Sequence, residues 1–188
     1  IEVSTIGLGT WPFSGSTSWG AQDDRDSIAT VHAALDAGVT FFDTAESYGA
    51  GRSEEVLGRA LAGCRDRAVI ATKVTEHHLR PADVRAACES SLRRLRTDVI
   101  DLYQVHWPNW DVPLADTVGA MEDLRREGKV RALGVSNFGV GDLTEFLSLA
   151  ACASNQVPYS LLWRAIEYHI QPTCVEHGVG ILPYTPLE

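Results

Sequence analysis

Val99-Ile100-Asp101-Leu102-Tyr103-Gln104-Val105, an amphipathic stretch from Leu114 to Glu127, then Val130 to Val135: this segment decides the fold. Its outer runs are near-continuous in apolar and β-branched character, as a strand covered on both faces requires. Its middle places Leu114, Val118, Met121 and Leu124 on one helical stripe, and Gly128 supplies the stop. Strand, helix, strand in short succession is a parallel crossover unit.

The alternation continues in both directions. Val39 to Asp43, Ala68 to Lys73 and Val179 to Leu182 read as strands, Ile6 to Gly9 as another, and Asn155-Gln156-Val157 as a weaker one. Between them lie helical stretches. Asp26 to Ala37 carries Ile28, Val31 and Leu35 on one face and ends at Gly38. Glu54 to Ala62 is read as capped by Ser53, with Glu54 and Glu55 favourable in its first turn. Pro81 opens a helix to Leu95, with Val84, Cys88 and Leu95 inward; Val140 to Leu149 and Glu167 to His177, closed by Gly178, complete the set. The predicted class is α/β with a parallel sheet, as an open doubly wound sheet or a closed (β/α)8 barrel. Barrels usually need about 250 residues. A barrel here would lack its eighth strand and last two helices.

Composition narrows the function classes. The 188 residues are 45% apolar and 22% charged, which excludes a mainly disordered chain. No apolar run approaches the roughly 18 residues of a membrane span. The net charge is −9, and Arg93, Arg94 and Arg96, the densest basic run, read as a solvated helix end rather than a nucleic-acid surface. Cys64, Cys88, Cys152 and Cys174 show no metal spacing, so a reducing, cytoplasmic setting is expected. The start, Ile1-Glu2-Val3-Ser4, shows no signal-peptide character and no initiating Met, so a longer natural chain is expected. One domain over 1–188, incomplete at both ends, is the expected organisation.

Polar residues end the predicted strands: Asp43, Lys73, His106, then Ser136 and Asn137, then Gln156 and Tyr184. In a parallel barrel these ends share one face, where active sites are built. Tyr48 follows Asp43 by five residues, within reach of that mouth. A tyrosine, with an ordinary pKa near 10, is a poor acid–base catalyst at neutral pH unless assisted. A nearby lysine ammonium favours the phenolate and lowers that pKa, and an aspartate holds the ammonium in place. A histidine donor orients a carbonyl oxygen. Asp43, Tyr48, Lys73 and His106 therefore form a plausible proton-donating pocket for carbonyl reduction, needing neither nucleophile nor metal.

These residues lie in motifs that resemble those of the aldo-keto reductases. Asp43-Thr44-Ala45-Glu46-Ser47-Tyr48-Gly49 looks like the family's DTAxxYG signature, and Ala71-Thr72-Lys73 like its strand-three lysine motif. Asp101 to Pro108 resembles the strand-four histidine motif, and Gly134-Val135-Ser136-Asn137-Phe138 the GxSNF motif. Asn155 to Tyr159 and Leu182 to Leu187 also fit; Tyr159 to Arg164 looks closer to the bacterial and potassium-channel-β-like branch. The resemblance implies a (β/α)8 barrel that binds NADPH without a dinucleotide-binding fold. It implies reduction of aldehydes or ketones, with Tyr48 as proton donor, Asp43 and Lys73 tuning it and His106 positioning the carbonyl. It assigns Ser136, Asn137 and Gln156 to the nicotinamide carboxamide and Tyr184 to the ring face. The family's plugging N-terminal hairpin, eighth strand and adenosine-phosphate segment have no counterpart in the chain.

Trp11 and Trp107 sit beside strand ends and are expected to wall an apolar substrate pocket. Trp19 falls in a loop, His77-His78 reads as a solvated pair, and Glu46 as facing solvent. Gly49-Ala50-Gly51-Arg52-Ser53-Glu54 imitates a dinucleotide fingerprint, but its third glycine is Glu54 and no strand leads into it. Two further functions compete with this one: a cofactor-holding regulatory module of the same fold, and a metal-dependent hydrolase using Asp43 and His106. The second wants more carboxylate or imidazole ligands than the strand ends supply. The expected partners are a small carbonyl substrate, no nucleic acid and no membrane.

Overall fold

The structure, a computed structural model, describes residues 1–15 and 19–187; 16–18 and 188 lie outside it. Among the described residues, seven parallel strands form one sheet in sequence order: β1 Gly7–Gly9, β2 Phe41–Asp43, β3 Val69–Val74, β4 Ile100–Val105, β5 Val130–Ser136, β6 Ser154–Pro158 and β7 Gly180–Tyr184. Each pairs with the next. Six helices connect or cover them: α1 Asp24–Asp36, α2 Arg52–Ala60, α3 Pro81–Leu95, α4 Leu114–Arg126, α5 Val140–Leu149 and α6 Ile170–His177. The sheet is strongly curled. Gln156 on β6 hydrogen-bonds Asp43 on β2 at 3.0 Å. In a flat sheet, strands four places apart lie roughly 19 Å from each other. Of the two architectures left open by the sequence, the curl selects the barrel: seven strands wound as in a (β/α)8 barrel, with helices outside.

The period-two alternation of strands sorts the side chains into two sets. Outward residues such as Phe42, Ile70, Tyr103, Val105 and Val135 join the helices in the main core. Inward residues form a separate small cluster, Phe41, Ala71 and Leu102, with Val69, Ala132 and Leu182 packed on it. One step of two residues further along each strand, the inward set turns polar: Phe41 to Asp43, Ala71 to Lys73, Leu102 to Gln104 and Leu182 to Tyr184. Register then makes neighbours of these polar residues, with Lys73 opposite Gln104 and Ser136 opposite Gln156. An apolar floor and a polar mouth thus follow from one alternation.

Several expected details differ. Ser53 does not cap α2. The helix starts from Gly51, which is left-handed at φ 93°, and Ser53 is buried with its hydroxyl 2.6 Å from the Thr10 carbonyl oxygen. Arg94 is not a solvated helix end. Its Nε donates to Glu54 Oε2 at 2.6 Å, and Thr72 Oγ1 donates to Glu54 Oε1 at 2.6 Å, pinning α2, α3 and β3 together. The last helix begins at Ile170, because Ala165–Tyr168 forms a separate 3-10 turn that His169 breaks. The imitation fingerprint is explained by packing: a Cβ on Gly51 would lie 2.5 Å from the Arg94 side chain, and one on Gly49 3.0 Å from Ser14. Among the described residues no helix is long and apolar enough to cross a membrane.

Candidate active site

Every strand-end residue singled out in the sequence comes to the mouth of the curled sheet. Lys73 is fully buried on β3. Its Nζ donates to Asp43 Oδ1 at 2.5 Å, to the Thr44 carbonyl oxygen at 2.8 Å and to the Tyr48 hydroxyl at 3.3 Å. A buried ammonium needs such partners, since its desolvation is otherwise expensive. Burial works against the charge on Lys73, but Asp43 and Tyr48 outweigh it and hold its pKa above the ordinary lysine value. The ammonium therefore keeps its proton at neutral pH.

Tyr48 departs from expectation. Burial pushes its phenol up, the Lys73 ammonium pulls it down, Asp43 raises it again, and the net result lies above the ordinary value. The predicted lowering by lysine is present and is outweighed by desolvation. A raised pKa keeps the phenol protonated, the form that donates. The His106 ring meets Tyr48 edge-on, with centroids 5.7 Å apart. Burial, then the Lys73 charge, lowers His106 to a pKa of about 4, so its imidazole is neutral at physiological pH. Its Nδ1 lies 3.3 Å from Ser47 Oγ.

The other side of the mouth is built from carboxamides and hydroxyls. Asn137 sits at φ 62°, a left-handed position that asparagine tolerates. Its Nδ2 donates to the His106 carbonyl oxygen at 3.1 Å and to Ser136 Oγ at 3.0 Å, while its Oδ1 accepts from the Tyr184 hydroxyl at 2.7 Å. Ser136 Oγ donates to the Gln156 carbonyl oxygen at 3.0 Å. Gln156 Nε2 donates to Asp43 Oδ2 at 3.0 Å.

These residues surround a cleft of about 750 Å³. Trp11 and Trp107 line it, and so does Trp19, which the sequence placed only in a loop. Trp11 stacks on Tyr48 at 5.9 Å and meets Trp19 edge-on at 5.6 Å. Glu46 does not simply face solvent: its Oε1 accepts from the Thr75 backbone N–H at 2.8 Å and lies 3.0 Å from His78 Nδ1, tying the loop after β2 to the loop after β3. Among the described residues no three His, Cys, Asp or Glu side chains gather as a metal site.

A sequence profile of the aldo/keto reductase family matches residues 5–188. The chain belongs to the aldo/keto reductase family. It is 43% identical over 197 residues to aldo-keto reductase YhdN of Bacillus subtilis (strain 168), covering 100% of this chain and 59% of that protein. It is 35% identical over 211 residues to an NADH-specific methylglyoxal reductase of Escherichia coli (strain K12), covering 100% of this chain and 65% of that one. An aldo/keto reductase from Klebsiella pneumoniae, solved with NADP and acetate, matches with a TM-score of 0.91 at 44% identity, over 98% of this chain and 65% of its own. The chain thus spans 59% to 65% of these family members.

Two residues at this aldo/keto reductase mouth escaped the sequence reading. Gln104 donates from Nε2 to Asp43 Oδ2 at 3.3 Å. Its position two before His106, which directly follows β4, keeps the two-residue step of the strand, and that spacing was the available signal. Trp19 had no such signal, because a loop carries no periodicity.

Proposed function

We propose that this chain forms the catalytic part of a carbonyl reductase that uses NADPH in preference to NADH and converts aldehydes or ketones to alcohols. The observation that carries the reading is the chain Asp43, Lys73, Tyr48: a half-buried carboxylate, a buried ammonium and a half-buried phenol in hydrogen-bond succession, opening on the cleft. The Klebsiella pneumoniae relative with NADP supports the cofactor class, while the Escherichia coli relative shows that NADH use also occurs among relatives.

In this reading Ser136, Asn137 and Gln156, which line the cleft, hold the nicotinamide carboxamide. Tyr184 lies against the ring. The reduced nicotinamide, when bound, supplies the hydride. Tyr48 and His106 face the carbonyl oxygen, and His106, neutral above about pH 4, donates a hydrogen bond to it from Nε2. As negative charge grows on that oxygen, Tyr48 gives up its proton to it. The resulting phenolate is stabilised by Lys73, which Asp43 keeps charged and aimed. Trp11, Trp107 and Trp19 wall the substrate and exclude water. The fold acts as one barrel domain, and a cytoplasmic setting suits four free cysteines.

The test is NADPH oxidation by the full-length protein with an activated aromatic aldehyde, followed by loss of reduced-nicotinamide absorbance. Aldehyde-dependent consumption, faster with NADPH than with NADH, is expected. No consumption with either cofactor contradicts the reading.

A further inference from the structure

We infer that Gln104 is a positioning residue for this reduction: from inside the sheet it fixes the Asp43 carboxylate that aims Lys73 at Tyr48. The inference rests on the proposed reductase reading. Asp43 divides its oxygens. Oδ1 takes the Lys73 ammonium at 2.5 Å, whereas Oδ2 takes two carboxamide donors, Gln156 Nε2 at 3.0 Å and Gln104 Nε2 at 3.3 Å. A carboxylate gripped by one oxygen alone is free to swing; donors on the second oxygen remove that freedom and strengthen with its charge.

The two carboxamides are not equivalent. Gln156 lines the cleft and is exposed to whatever binds there, whereas Gln104 is fully buried and does not line it. Gln104 is therefore the support that stays when Gln156 is engaged elsewhere. Its own orientation is set from behind. Ser154 Oγ donates to Gln104 Oε1 at 3.3 Å, which turns the amide nitrogen toward Asp43. Gly134 makes room for this pair. A Cβ there would lie 2.5 Å from Ser154 Oγ and 3.2 Å from Gln104 Cγ, and Gly134 is not among the glycines of positive φ, so it is the space that is used. Strands β4, β5 and β6 thus each contribute one residue to a support with no other evident purpose.

The experiment compares the full-length protein with Gln104→Met and Gln104→Glu, using an aromatic aldehyde and NADPH. Gln104→Met keeps the length and removes the donor; kcat is expected to fall about tenfold, the size of a lost hydrogen bond to a charged group. KM for the aldehyde and the NADPH Kd, read by cofactor fluorescence, stay within about twofold, because neither ligand meets Gln104. The solvent deuterium isotope effect on kcat rises as proton transfer becomes slower. Gln104→Glu, of the same shape, sets a second carboxylate against Asp43 and loses more. Ser154→Ala lowers kcat by roughly threefold alone and by nothing further in the Gln104→Met background, since it acts through Gln104. A Gln104→Met enzyme with unchanged kcat and isotope effect overturns the inference, as does a loss confined to KM or to cofactor Kd. If the unmodified protein itself turns over no aldehyde, the reductase reading falls first.

Discussion

Two aspartates, Asp101 buried and Asp43 half-buried, occupy opposite ends of the sheet, and their contrast locates the chemistry. Asp101, near the start of β4, is almost wholly buried. Arg65 Nη2 donates to its Oδ2 at 2.6 Å, Arg131 Nη1 to its Oδ1 at 2.7 Å, and the Ile70 backbone N–H to Oδ2 at 2.9 Å. Arg65 also donates to the carbonyl oxygens of Ala68 and Val99, so the cluster ties chain segments together. Asp43, at the end of β2, pairs instead with a lysine that touches a phenol and opens on the cleft. A guanidinium keeps its proton in any protein environment and offers nothing to transfer. An ammonium beside a phenol shares a hydrogen-bond path along which a proton can be supplied and its loss stabilised. Both ends carry one buried charge held in an ion pair, but among the described residues only the Asp43 end has a proton that can leave and a space for the group that takes it.

The sharpest way to test that contrast is to remove one charge at each end. Lys73→Met leaves Asp43 without its ammonium; aldehyde reduction is expected to fall by at least about a hundredfold and unfolding free energy by about 3–5 kcal/mol. Steady-state kinetics and denaturant titration read the two effects. Asp101→Ala is the counterpart. It should cost about 3 kcal/mol of stability, because two guanidinium groups lose their carboxylate, yet leave kcat of the folded enzyme unchanged. A large loss of kcat with Asp101→Ala would break the distinction between a structural end and a chemical one.

A smaller effect concerns pH. His106 in the folded protein takes up its proton near pH 4, against 6.5 for an ordinary histidine. Between those values the unfolded chain binds more protons than the folded one, so stability rises with pH through this window and is lost as pH falls from 6.5 toward 4. His106→Gln should flatten that dependence in acid-range unfolding curves. The smallest effect falls on the walls of the cleft. Trp11→Ala removes the ring stacked on Tyr48 and should raise KM for an aromatic aldehyde about tenfold, with a lesser change in kcat.

What the sequence disclosed follows the same division. Strands and helices announce themselves by periodicity and by local stops, so α3 and α5 run over Pro81–Leu95 and Val140–Leu149 as read. The polar strand ends were legible because parallel strands bring their ends to one face. Partners chosen across the fold were not legible. Ser53 looked like a cap because nothing local shows that its hydroxyl reaches the Thr10 carbonyl oxygen, 43 residues away. Arg94 looked solvated because Glu54 lies 40 residues earlier, on another helix. The pKa of Tyr48 is illegible for a related reason: the lysine is visible in the motif, whereas the burial that outweighs it is a property of the assembled mouth.

The most direct test of the account is Tyr48→Phe in the full-length protein, measuring aldehyde-dependent NADPH oxidation beside NADPH binding by fluorescence. The account predicts loss of reduction by about a thousandfold or more, with cofactor Kd nearly unchanged. Turnover retained at a substantial fraction of the unmodified rate would contradict it and remove Tyr48 from the reaction.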